Sequence, residues 1–126
     1  MSKKIISTSN APAAIGPYSQ AVLAGDTLYC SGQIALNPAT GELVMDSITA
    51  ETEQVMTNVA AVLKAADMDF THVVKCSIFM SSMEHYAAVN VVYAKYFSSD
   101  PPAREAVAVK TLPKEVNVEI SVIAVR

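Results

Sequence analysis

Two segments of this chain are too apolar for strands with one wet face. In the run from Val73 to Met80, Val73, Lys75, Ser77 and Phe79 alternate with Val74, Cys76, Ile78 and Met80. In the run from Val116 to Val125, Val118, Ile120, Val122 and Ala124 share one face, while Ile123 and Val125 lie on the other beside Asn117, Glu119 and Ser121. The rest of the chain offers two helical stretches, and two helices cover only one face of about six strands. A large exposed apolar sheet face is a liability. A partner subunit is therefore expected on the second face, which makes the protein a homo-oligomer.

The order of elements supports an α+β fold with one mostly antiparallel sheet. Short strands are expected at Ile5 to Thr8, Tyr18 to Leu23 and Leu28 to Ser31, the last two joined by the Ala24-Gly25-Asp26-Thr27 turn, with Ile34 to Leu36 continuing after Gly32. Thr49 is placed to cap a helix in which Val55, Val59, Val62, Leu63 and Ala66 recur at helical spacing, with Glu51 and Glu53 favourable near its N-terminus. After the Val73 to Met80 strand, Ser81-Ser82-Met83-Glu84 has the form of a capping box. A second helix carries Tyr86, Val89, Tyr93 and Phe97 on one stripe and stops by Asp100-Pro101-Pro102. Arg104 to Val109 and Val116 to Val125 close the series as strands, with no linker or repeat between residues 1 and 126, so one domain is expected.

Composition narrows the function classes. The chain of 126 residues can bury a core without disulfides or metal. A net charge of −3 without a basic stripe weighs against nucleic acid as a partner. No apolar run approaches the roughly 20 residues of a membrane span. The apolar part of Met1-Ser2-Lys3-Lys4-Ile5-Ile6-Ser7 is too short for a secretory signal. Cys30 and Cys76 match no metal spacing and read as small buried apolar residues, so a reduced cytoplasmic protein is expected. His72 and His85 match no ligand spacing either, and they read as surface or structural groups.

Arg104 opens the apolar run Ala106 to Val109, and Glu119 interrupts the apolar run Val116 to Val125. They could face one pocket, the Arg holding a carboxylate with its planar fork and the Glu handling a proton or a water. The alternative is a cross-strand ion pair on a solvated face. Ser31-Gly32 reads either as an ordinary strand end or as a close backbone approach to a ligand. Tyr18 reads either as a core tyrosine or as a phenol at a site rim. Gln20, Gln33 and Asn90 read as structural hydrogen-bonding groups.

Four segments together resemble the YjgF/RidA family of reactive-intermediate imine deaminases: Gly16-Pro17-Tyr18-Ser19-Gln20, Ser31-Gly32-Gln33, Pro102-Ala103-Arg104 and Val118-Glu119-Ile120. The Asn37 to Glu42 turn and the Leu112-Pro113-Lys114 connection are also similar, so the resemblance runs from about Ile6 to Val125. It implies a chorismate-mutase-like fold and a homotrimer whose helix-free faces pack together, with sites in the clefts between subunits. The implied reaction is hydrolysis of 2-imino acids (2-iminobutanoate, 2-iminopropanoate) to 2-oxo acids and ammonia, a form of metabolite damage control, without metal, cofactor or covalent nucleophile.

The resemblance also implies roles for residues. Arg104 holds the substrate carboxylate, and Glu119 orients and activates water. The backbone N–H of Gly32 faces the carboxylate, with the Ser31 hydroxyl in the same pocket and the Tyr18 phenol acting toward a neighbour's pocket. Two positions depart from the family pattern. Glu105 stands where a small residue is common, and strand alternation points it away from Arg104. Ala106 stands where many members have Cys, which leaves only a backbone N–H to contact substrate. The departure at Glu105 keeps open a non-catalytic protein that binds small carboxylates and regulates a partner. An RNA-directed role is a third reading, disfavoured by the acidic balance. The uncovered sheet face makes the first prediction: sedimentation at micromolar concentration should show an oligomer, and a monomer would refute the shared-face argument.

Overall fold

The computed structural model describes residues 2–126. Six strands form one sheet: β1 (Lys3–Ile6), β2 (Ala21–Ala24), β3 (Thr27–Cys30), β4 (Val73–Met80), β5 (Ala103–Ala108) and β6 (Val118–Val125). Their order across the sheet is β1-β2-β3-β6-β4-β5. Neighbours run antiparallel except β4 and β5, which are parallel. That parallel pair needs a crossover, and the chain supplies it with α2 (Tyr86–Ala94). The other helix, α1 (Ile48–Ala65), joins the β3 side to β4.

Both helices lie on one face, as expected. Val118, Ile120, Val122 and Ala124 of β6 are fully buried there with Cys76, Ile78 and Met80 of β4, against Val55, Val59 and Val62 of α1 and Val89 and Val92 of α2. Of the alternate residues of β6, Glu119, Ser121 and Ile123 are half-buried and Val125 is exposed. On that helix-free face Tyr29 is 51% exposed, Val107 41% and Val125 40%.

Local chemistry shifted several boundaries. β1 spans Lys3–Ile6 rather than Ile5 to Thr8, because Thr8 already belongs to the loop closed by Gln20. Tyr18 lies outside β2, which begins at Ala21. In place of a strand, the segment from Ile34 to Leu36 makes one isolated bridge, Leu36 to Leu43, just after the isolated bridge from Gln33 to Ile120. Ser47, not Thr49, caps α1, its hydroxyl accepting from the Ala50 N–H at 3.0 Å. The Ser81 to Glu84 box does not form. The Ser82 hydroxyl instead accepts from Glu84 N–H in a short 3-10 turn, Met83–His85, that feeds directly into α2. α2 ends at Ala94, well before Asp100. Phe97 still packs onto the core, with ring centroids 4.7 Å from Tyr93 and 5.4 Å from Phe70. Gly25, at φ +60, makes the tight β2–β3 turn that a side chain would resist.

Glu51 does more than favour the helix N-terminus. Its fully buried carboxylate accepts from Asn117 N–H at 2.7 Å, Val118 N–H at 2.9 Å and the Asn117 side-chain amide at 3.1 Å. It thereby fixes the start of β6 against the first turn of α1. Glu51→Ala leaves those buried donors without an acceptor and is expected to cost about 3 kcal/mol. Glu51→Gln, which keeps one acceptor, should cost less. Urea denaturation of both variants checks the order, and equal small losses would remove this carboxylate from the account.

Candidate active site

A cavity of about 430 Å³ opens beside the start of β6, and Glu119, Gly32, Ser31, Tyr18 and Lys114 lie in its wall. Its remaining lining is largely apolar, including Ile15, Ile34 and Leu36. Three loops build it, and buried amides hold those loops in place. Gln20 closes the loop from Thr8 to Pro12: its side chain accepts from Thr8 N–H at 2.7 Å and donates to the carbonyls of Thr8, Ala11 and Pro12. Asn58, fully buried on α1, donates to the carbonyls of Ile34 and Leu36, each at 2.9 Å. Gln33 exchanges backbone hydrogen bonds with Ile120, at 2.8 and 3.1 Å.

That exchange lays Gly32 against Glu119. A Cβ built on Gly32 would sit 2.7 Å from Glu119 Oε2 and 2.8 Å from its carboxyl carbon. Only glycine lets the carboxylate lie across the backbone here. The Gly32 N–H donates to no acceptor among the described residues, and the Glu119 carboxylate likewise receives no hydrogen bond from them. Burial pushes the Glu119 carboxyl above the ordinary glutamate value of 4.5. The nearest cation in the cavity wall is Lys114, held with Glu115 in left-handed backbone (φ +55 for each). A non-glycine residue in that region costs on the order of 1–2 kcal/mol.

Ser31 and Tyr18 sit in the same wall with different freedom. The Ser31 hydroxyl donates to the Ser19 carbonyl at 2.6 Å, so it offers the cavity its lone pairs rather than its proton. Tyr18 is 54% exposed, its ring stacked close to Gly16. The Gln33 side chain donates weakly to the Ser31 carbonyl at 3.3 Å.

Arg104 is elsewhere. It pairs across the sheet with Cys76, which pairs with Val122, so its side chain stands on the helix face. Glu119 pairs with Phe79, which pairs with Val107, on the helix-free face. The expectation that the two could face one pocket therefore fails within a single chain, and so does the cross-strand ion pair. Their spacing of fifteen residues carries no parity information, because β5 and β6 are not neighbours and β4 lies between them. Ala106 shares the helix face with Arg104 and packs on the core. Glu105 points the opposite way, as alternation requires, where Lys75 pairs with it at 2.9 Å and the Ser77 hydroxyl donates to it.

The Arg104 guanidinium donates to Asn90 Oδ1 at 2.6 Å and to the Tyr86 phenol oxygen at 2.8 Å. Its carbon lies 4.9 Å from the Tyr93 ring centroid and 5.6 Å from that of Tyr86. Asn90 thus makes the structural bond expected of it, toward Arg104. Tyr86 was legible only as part of an apolar stripe. Asn58 had a signal: it falls three residues after Val55 on the stripe that α1 buries, where an amide needs a partner.

Among the described residues no three His, Cys, Asp or Glu side chains cluster as metal ligands do. Both cysteines are buried, and burial raises their thiols, Cys30 to about 12. No described helix is long and apolar enough to cross a membrane.

The Endoribonuclease L-PSP family model matches residues 8–126. The 2-iminobutanoate/2-iminopropanoate deaminase of Capra hircus is 51% identical over 124 residues, which is 98% of this chain and 90% of the relative. AldR of Lactococcus lactis subsp. lactis, named for a proposed regulatory role, is 52% identical over 96% of each chain. Among solved structures, E. coli TdcF with bound serine matches at TM-score 0.93 and 38% identity, covering 98% of each chain. The chain belongs to the Endoribonuclease L-PSP, or YjgF/RidA, family.

The raised Glu119 titration has a measurable sign. The folded state holds this proton more tightly than the unfolded chain, so stability should fall as pH rises from 4.5 through the raised folded value. Carboxyl-carbon NMR should place the Glu119 midpoint above 4.5, and Glu119→Gln should flatten that part of the stability profile. A midpoint at or below 4.5 would show that solvent reaches the carboxylate freely.

Proposed function

We propose that this protein hydrolyses 2-iminobutanoate and 2-iminopropanoate to the corresponding 2-oxo acids and ammonia. The observation that carries this reading is the near-full-length identity to deaminases named for that reaction, 51% over 98% of the chain for the goat relative. The site geometry supports it. Glu119 sits beside an open Gly32 N–H in a partly apolar cavity, and Arg104 is a guanidinium with no carboxylate partner among the described residues.

The active unit is a homotrimer of one-domain chains that acts in the cytoplasm. Arg104 at the β5 edge of one subunit completes the Glu119 cavity of the next, and Tyr18 reaches across the same seam. The exposed Tyr29, Val107 and Val125 on the helix-free face supply apolar surface for that association. Arg104 grips the carboxylate by parallel hydrogen bonds worth roughly 1.5–3 kcal/mol each, and the Gly32 and Ala106 N–H groups meet the same group. Glu119 takes a proton from water as the oxygen bonds to C2 of the already protonated imine and the C=N π pair moves to nitrogen, giving a neutral carbinolamine. The carbinolamine then collapses: Glu119 returns that proton to the amine, the hydroxyl proton passes to Glu119 as the C=O π bond forms, the C–N bond breaks, and ammonia leaves. Acid–base help of this kind contributes about 10²–10⁴-fold. A carboxyl raised by burial is better matched to that proton traffic than an ordinary glutamate.

A second reading, a carboxylate-binding regulator without turnover, draws on the relationship to AldR. The RNA-directed activity in the family's description finds little electrostatic support in a chain with 9 Lys and Arg against 12 Asp and Glu.

A coupled assay tests the hydrolase. Threonine, a threonine dehydratase and semicarbazide as an imine trap are mixed; added protein should raise free 2-oxobutanoate at the expense of trapped adduct. Arg104→Ala and Glu119→Gln should each abolish the gain while the oligomer stays intact by sedimentation. Gly32→Ala should lose most of it, because the new methyl turns the carboxylate aside. Binding of 2-oxobutanoate without any gain from the wild-type chain would decide for the regulator.

A further inference from the structure

Arg104 stands in a cradle with no negative charge. Four groups surround its guanidinium: the Asn90 amide, the Tyr86 phenol, the Tyr93 ring and, directly across the strand pair, the Cys76 thiol. None of the four is a carboxylate. Burial pushes the Tyr93 phenol and the Cys76 thiol above their ordinary values. The nearest carboxylate in sequence, Glu105, is turned to the opposite face and held by Lys75.

A guanidinium on an edge strand has many rotamers, and fixing it costs side-chain entropy. Two hydrogen bonds at different terminal nitrogens define both the plane and the roll of the fork. The ring faces of Tyr93 and Tyr86 supply attraction without neutralising the charge. The Nε–H and the second N–H of each terminal nitrogen stay available for a ligand.

We propose that Tyr86 is a positioning residue that holds Arg104 for its anion through the phenol oxygen and the ring face, acting with Asn90 and Tyr93 as a charge-free clamp. This rests on the reading of Arg104 as the carboxylate-binding group. Tyr86 does not touch the reacting atoms. Its phenol fixes the second terminal nitrogen, so losing it frees the roll of the fork rather than the charge. The clamp accepts an incoming carboxylate because nothing has already compensated the cation. An acid at position 90 would compensate it.

The test uses the full-length protein, with imine turnover and calorimetric binding of 2-oxobutanoate as readouts. Tyr86→Phe keeps the ring and drops the hydroxyl. It should raise KM and the 2-oxobutanoate Kd by roughly tenfold, with kcat within about twofold, the signature of lost ground-state and transition-state binding alike. Tyr86→Leu, which removes the ring as well, should weaken binding further. Asn90→Asp should abolish 2-oxobutanoate binding while leaving the thermal midpoint at or above that of the wild type, because the new carboxylate pairs with Arg104. Wild-type KM and Kd in Tyr86→Phe, or retained binding in Asn90→Asp, would overturn the clamp while leaving the Arg104 reading intact. Full activity in Arg104→Ala would overturn both. A loss confined to kcat in Tyr86→Phe would place the phenol in the chemistry and reject the positioning role.

Discussion

The pleat of the sheet governs this protein. Residues paired across strands share a face, and β4 links β5 to β6 in a fixed register. That register sends Arg104 toward the helices and Glu119 away from them. A one-residue slip would reverse both, and would expose Val118, Ile120 and Val122 while burying Glu119 and Ser121. The apolar set on the core face makes the slip prohibitively costly. Core packing therefore determines which side of the sheet Arg104 and Glu119 each occupy.

The two halves of the site are built on opposite electrostatic principles. Glu119 lies in a partly apolar wall where burial discourages its charge. Arg104 lies among acceptors and aromatic faces that hold its charge without cancelling it. In one chain the sheet separates them, so they cannot quench each other as a salt bridge. Each is left wanting a partner of the opposite sign. In the proposed reading, a small anion bearing an electrophilic carbon would satisfy Arg104 with its carboxylate and give Glu119 a water to deprotonate.

Loops carry the cavity, and three buried polar side chains make those loops rigid. Gln20 ties the segment around Tyr18, Asn58 ties the segment after Gly32, and Glu51 ties the entry to β6. The Gln20 role was readable in outline, because an amide inside an apolar stretch must find backbone partners. Asn58 carried a similar signal on the stripe that α1 buries, although its partners at Ile34 and Leu36 were not readable, and the Glu51 role was not readable at all. Glu51 looked like an ordinary first-turn acid, since nothing local reveals that Asn117 and Val118, more than sixty positions away, bring their N–H groups to it. Likewise Ser47 displaced Thr49 as the cap of α1, because several hydroxyls near a helix start compete on equal local terms.

The sequence by itself determined the fold class, the strand from Val73, the last strand ending at Val125, the helix-covered face and the family, because period and turn chemistry are local properties that a single chain displays. It also placed Glu105 opposite Arg104, since adjacent residues on a strand must diverge. Only the tertiary structure decided that Arg104 and Glu119 occupy opposite faces, that Gly32 must lack a side chain to admit the carboxylate, and that Tyr86 holds the guanidinium. Those facts depend on register between strands and helices far apart in the chain, and register is fixed by packing, which no local pattern encodes.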